Sequence, residues 1–138
     1  MEQFTIKNLT VRIAENINYV WVLLGGQISR EEFADSLGDA DFHTLLQQYD
    51  VKNVLVDCSG MWSFGIPEMS DYLDTEFTAA MRGIGVEKIS VVLSEDVLSM
   101  LSFVFQGIEN NHNNSSPKIR FFESSQFHES FESVSWFE

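Results

Sequence analysis

From Leu9 to Ile13 the chain alternates, with Leu9, Val11 and Ile13 apolar and Thr10 and Arg12 polar. A period of two predicts a strand with one covered face. "ENIN" (15–18) is turn-like, and "YVWVLLGG" (19–26) is a continuous apolar run that suits a more buried strand. Together they predict an antiparallel hairpin. The period then changes to that of a helix. In "SREEF" Ser29 is a good N-cap, and Glu32 three residues later completes a capping box. Phe33 and Leu37, then Phe42, Leu45, Leu46 and Tyr49, continue the apolar face on either side of Gly38. This predicts one kinked helix or two short ones, ending near Asp50, with Asp41 capping the second part.

"VKNVLVDCS" (51–59) reads as the central strand. Pro67 suits the first turn of the next helix, where its missing N–H is unpaired anyway. Met69, Tyr72, Leu73, Phe77 and Ala80 form that helix's buried face, Asp71, Asp74 and Glu76 its solvated face, and "RGIGVE" its end. "KISVVLS" (88–94) is a further strand. Ser94 caps the helix that follows, whose buried stripe is Val97, Leu101, Val104, Phe105 and Ile108. "NNHNNSSP" is a polar, helix-breaking loop in which His112 reads as solvated surface. "KIRFF" is the last strand, and Phe127, Phe131 and Val134 mark a last helix. The order β-β-α-β-α-β-α-β-α predicts an α/β fold: a mixed five-stranded sheet opened by an N-terminal hairpin and covered by helices.

Composition narrows the function more than the fold. The 138 residues fit a single domain spanning 1–138, and an apolar share of 44% with 12 phenylalanines supports a packed core. The net charge of −13, with 8 basic residues scattered one or two at a time, argues against nucleic acid and anionic membrane surfaces as partners. The acidity reads first as a soluble, self-repelling surface, with a basic partner protein as the second reading. No apolar run reaches the roughly 18 residues of a membrane span. "MEQFTIKNLT" lacks the basic and apolar regions of a signal peptide, so a cytoplasmic location is the expectation. The lone Cys58, unable to form an internal disulfide, agrees with a reducing compartment.

The hairpin "LTVRIAENINYVWVLLGGQIS", the strand "VKNVLVDCSG", the pair "KISVVLSEDVLSMLSFVFQGI" and the close "IRFFESSQFHESFESVSWF" together resemble the STAS fold. This is the fold of the anti-sigma-factor antagonists, and the likeness is greatest to a divergent bacterial branch of small stand-alone domains. The resemblance covers nearly the whole chain and rests on apolar patterns. It implies a regulatory domain that works through protein contacts. In switch-type members an Asp-Ser-Ser-Gly motif stands at a helix start, and its second serine is phosphorylated by a partner kinase. Aligning Gly65 with the motif's glycine puts Trp62, Ser63 and Phe64 on the other three positions, so phenylalanine replaces the phosphoacceptor. Ser59 and Ser63 are the remaining hydroxyls in this stretch.

Three functions follow as expectations. The first is a non-enzymatic binding domain whose loop Met61, Trp62, Ser63, Phe64 and Gly65, continued by Ile66, meets a protein partner or a second copy in a homodimer. The other reading of these apolar groups is that they fold inward and cap the end of the sheet. The second is the same scaffold holding a small apolar ligand, as that branch's likeness to lipid-binding domains would allow. The third is a cryptic enzyme using Asp57, Cys58 or Ser59, at the end of a parallel strand where α/β folds bind ligands. A nucleophilic cysteine needs a nearby base or a lowered pKa, and none of His43, His112 and His128 stands in a recognisable catalytic context. No metal-ligand spacing and no phosphate-binding fingerprint is visible, so no metal or cofactor is expected.

Overall fold

The alternating segment Leu9–Ala14 is the second strand of the sheet, not the first. In the computed structural model, which describes residues 2–14, 19–61, 66–124 and 132–137, Glu2–Ile6 forms β1. It pairs antiparallel with Leu9–Ala14 (β2), Ile6 opposite Leu9. The sheet therefore has six strands where the sequence predicts five. The extra strand is faint in the sequence for two reasons. Only Phe4 and Ile6 carry its alternation, on a strand that stays half-buried at best. Its turn also places Lys7 at φ 52°, where hairpins usually show glycine or asparagine.

The remaining strands are Tyr19–Gly26 (β3), Asn53–Met61 (β4), Lys88–Leu93 (β5) and Lys118–Glu123 (β6). β2 and β3 pair antiparallel; β3 to β6 are parallel, and the spatial order is the chain order. Each parallel step moves in the same direction across the sheet. Right-handed crossovers then put every connecting helix on one face. Those helices are Arg30–Leu37 (α1) and Ala40–Gln48 (α2), then Ile66–Tyr72 (α3), a π-helical turn at Leu73–Phe77 and Thr78–Ile84 (α4), then Glu95–Met100 (α5) and Ser102–Asn111 (α6). Their buried side chains, among them Phe33, Phe42, Phe77 and Phe105, form one core with Val11, Val22, Val56, Val91 and Ile119 of the sheet.

The opposite face has a smaller core. The short helix Glu132–Ser135 (α7) lays Val134 and Phe137 on Tyr19, Leu55 and Val92. Lys88 Nζ donates to the Trp136 carbonyl at 2.8 Å, and Arg120 lies 4.8 Å from the Trp136 ring centre. Cations from neighbouring strands thus anchor the C-terminal segment by cation–π and hydrogen-bond contacts. Of the predicted stripe on this helix, Val134 is buried. Phe127 and Phe131 lie outside the described residues.

Helix ends follow their capping residues. Ser29 and Glu32 form the predicted capping box, Ser94 accepts from Val97 N–H, and Gly85 ends α4 in the left-handed region at φ 100°. The cap of α2 is Asp39, not Asp41: its carboxylate accepts from the Asp41 and Phe42 amides. α1 ends at Gly38, which leaves Asp39 the first residue able to start a new helix. A second departure is at Leu101, where φ of −117° splits the helix predicted from Ser94 onward. That break resets the helical phase, and Val104, predicted as core, is 41% exposed. No helix among the described residues is long and apolar enough to cross a membrane.

Candidate functional site

β4 pairs with β5 only as far as Asp57 opposite Val92, while its pairing with β3 continues through Gly25–Gly60 and Gly26–Met61. Beyond Asp57 the two strands run on as a narrow ribbon out of the C-terminal edge of the parallel sheet. Ligand and partner sites of α/β folds favour that edge. Gly25, Gly26 and Gly60 are all exposed, so the ribbon presents bare backbone. It feeds directly into the segment 62–65. Glycine inside a strand often marks a place where another chain comes close to the backbone.

The register slips by one residue between Leu23 and Gly25, so β4 carries one residue more than β3 around Cys58 and Ser59. Asp57 holds this bulge together. Its carboxylate accepts from the Ser59 amide at 3.0 Å and the Ser59 hydroxyl at 2.5 Å through Oδ1. Oδ2 accepts from Trp21 Nε1 at 3.1 Å. A buried carboxylate survives only with such partners, and Asp57 is 3% exposed. The Arg12 guanidinium lies over the face of the Trp21 ring, 4.5 Å from its centre. Arg12, Trp21 and Asp57 therefore form a continuous chain across three strands, which sequence reading missed because the three lie far apart along the chain.

Successive side chains on a strand point to opposite faces, and this separates the Asp57–Cys58–Ser59 triplet. Asp57 faces Trp21 and the smaller core, whereas Cys58 packs in the larger core. Burial, reinforced by the Asp57 carboxylate, pushes the Cys58 thiol well above its ordinary range. It is held as the neutral thiol, the opposite of an activated nucleophile. Of the histidines, His43 contacts the Leu37 carbonyl at 2.8 Å. His112 is not solvated surface, since its Nε2 lies 2.8 Å from the Asp74 carboxylate in the π-helical turn. His128 lies outside the described residues.

Met61 is buried and packs into the main core. The space beside it, lined by Phe33, Cys58, Met69, Leu73, Phe105 and Phe121, amounts to about 10 Å³. That is room for about one water molecule, not for a lipid chain. Trp62, Ser63, Phe64 and Gly65 lie outside the described residues, as do the side chains of Ile66 and Pro67. No group of three metal-ligating side chains occurs among the described residues. No family model matches the chain, and neither does any curated protein or solved structure.

The buried thiol has a consequence at high pH. Burial, with help from Glu76 and Asp35 and against Arg30, also pushes the Tyr72 hydroxyl up to about 12. Both groups resist ionisation in the fold more than in the unfolded chain. Their contribution is thus complete below the unfolded thiol's pKa of about 8.5 and is lost as pH rises past it. Urea midpoints should be level from about pH 7 to 8 and fall above about pH 9. Tyr72→Phe should reduce the part of the fall between about pH 10 and 12, which for a two-unit shift reaches roughly 2–3 kcal/mol. An unchanged midpoint up to pH 11 would contradict this burial.

Proposed function

We propose that the chain is a STAS-like, non-enzymatic binding domain that meets a protein partner at the β3–β4 ribbon and the segment 62–65 that follows Met61, whose own side chain belongs to the core. The observation that carries this reading is the ribbon itself. Two strands leave the sheet bare of side chains at Gly25, Gly26 and Gly60, and the sequence continues directly into Trp62 and Phe64. Backbone approach at the glycines and aromatic anchors beside them are complementary means of protein recognition. The consecutive strand order with the connecting helices on one face supports this reading, although the sheet has a sixth strand that the resemblance does not imply. The acidic surface, net charge −13, favours a partner with a basic rim. A cytoplasmic location is part of the same reading.

The proposed partner contact does not use a phosphorylated Ser59. Its hydroxyl is held by the Asp57 carboxylate, and a phosphate placed there would meet like charge. Ser63 is the remaining acceptor in the loop. The filled space beside Met61 favours protein contacts over a small apolar ligand as the use of this region.

Truncating the loop aromatics tests the reading. Trp62→Ala and Phe64→Ala should each change the urea-derived stability by about 0.5 kcal/mol or less. The same variants should weaken capture of a partner from the native cell extract by about 2 kcal/mol, or roughly thirtyfold. Losses of about 3–5 kcal/mol in stability would instead make these side chains core, and the binding reading would be dropped.

A further inference from the structure

Four large apolar side chains stand exposed among the described residues, and three of them lie together: Met100, Phe103 and Val104, 67%, 88% and 41% exposed. They occupy the outer side of the α5–α6 junction and the first turn of α6. One turn further on the same face is Gly107, where an added Cβ would meet nothing within 4 Å. A glycine in a helix interior is unfavourable relative to alanine, and nothing among the described residues calls for it. Within α6, Phe103, Val104 and Gly107 share one helix face at i, i+1 and i+4, and Met100 stands beside its start, on the α5 side of the Leu101 break.

The charge pattern of the same segment is unusual for so acidic a chain. Between Asp96 and Lys118, Glu109 is the only Asp, Glu, Lys or Arg. Its carboxylate turns away from this face and accepts from the Phe121 amide of β6 at 2.8 Å. The residues flanking the apolar stripe are Ser99, Ser102, Gln106 and Asn110, all exposed and uncharged. Two copies of a chain with net charge −13 repel one another over most of their surface. Here they can meet without bringing carboxylates together.

We propose that α6 is a homodimer face, packed antiparallel about a two-fold axis that lies between the helices midway along the 103–107 stretch. Residues four apart lie one above the other on a helix face. An axis midway between 103 and 107 therefore sets each Phe103 over the Gly107 of the second copy, a projection and a hollow matched twice. Such self-complementarity is what an isologous interface requires. One helix pair covers less than the roughly 800 Å² per partner of a standard interface, so the dimer belongs to the weak class, with Kd on the order of 10–100 µM. The face is separate from the β3–β4 ribbon and does not depend on its function.

Sedimentation equilibrium of the full chain from about 5 to 500 µM reads this directly. The weight-average mass should climb toward twice the monomer value, more steeply at about 0.5 M than at 0.02 M salt, because screening relieves the repulsion between acidic copies. Phe103→Asp should leave a monomer throughout. Gly107→Leu should weaken the dimer by about tenfold or more although leucine is the better helix former. Exchanging projection and hollow, Phe103→Gly with Gly107→Phe, should restore association to within a few-fold of the original. A wild-type chain that stays monomeric over the whole range would overturn the proposal. So would Phe103→Asp or Gly107→Leu dimerising as well as wild type, or an exchanged variant that remains monomeric while keeping its helical circular dichroism.

Discussion

Asp57→Ala should destabilise the fold by about 3–4 kcal/mol, with Asp57→Asn losing roughly half as much. Removing a buried charge sometimes stabilises a protein, but only when its partners leave with it. Here they stay. The Trp21 indole N–H, the Ser59 amide and the Ser59 hydroxyl would all lose their acceptor. Each hydrogen bond to a charged group is worth about 1.5–3 kcal/mol, reduced where water can take over. Trp21 and Ser59 are half-buried, so part of the loss is recovered. Asparagine keeps one acceptor oxygen but turns an N–H₂ toward a donor, hence the intermediate value. Urea melts of the two variants measure the effect, and Ser59→Ala combined with Asp57→Ala should fall well short of additive. A change below about 1 kcal/mol for Asp57→Ala would mean that the bulge is held by other contacts.

The smaller core should prove as necessary as the larger. Phe137 is 8% exposed and tilts against Tyr19, with ring centres 5.7 Å apart. Truncation of a buried phenylalanine costs about 3–5 kcal/mol through lost transfer energy and the cavity left behind. Phe137→Ala should fall at the lower end of that range, because Phe137 is not fully buried and the four-residue α7 beside it can shift to fill part of the cavity. Its removal would also expose part of the Leu55 and Val92 face, so binding of a hydrophobic dye should rise in native buffer. A loss under about 1 kcal/mol, with no added dye binding, would show that α7 contributes little to the fold.

Much of the architecture was legible because periodicity is a local signal. The β2–β3 hairpin, the parallel strands and the caps at Ser29 and Ser94 all appear where spacing and capping residues place them. β1 escaped because an edge strand with two apolar residues barely alternates. Val104 reads as core because a single helical phase runs on past Leu101 in the sequence, and nothing in "LSMLSFVF" announces the break. The site was legible as a place but not as chemistry. "DCS" reads as one cluster of reactive side chains along the chain, yet the strand sends Asp57 and Cys58 to opposite faces. The chain Arg12–Trp21–Asp57 and the His112–Asp74 contact depend on sheet order and helix packing, which one sequence does not spell out.

The most direct test of the proposed binding surface is Gly60→Val, because fold and partner contact should respond in opposite directions. A Cβ at Gly60 would meet Gly25 Cα at 3.7 Å and the Leu24 carbonyl at 3.9 Å, both ordinary contacts, and its φ is not positive. Valine also suits a strand better than glycine, so the urea-derived stability should hold or rise by about 0.5–1 kcal/mol. On the bare ribbon, however, the isopropyl group occupies the space that an approaching partner backbone needs. The expected result is a stable variant whose partner capture falls at least about tenfold, a loss of roughly 1.4 kcal/mol. Capture equal to wild type by an equally stable Gly60→Val would contradict the account.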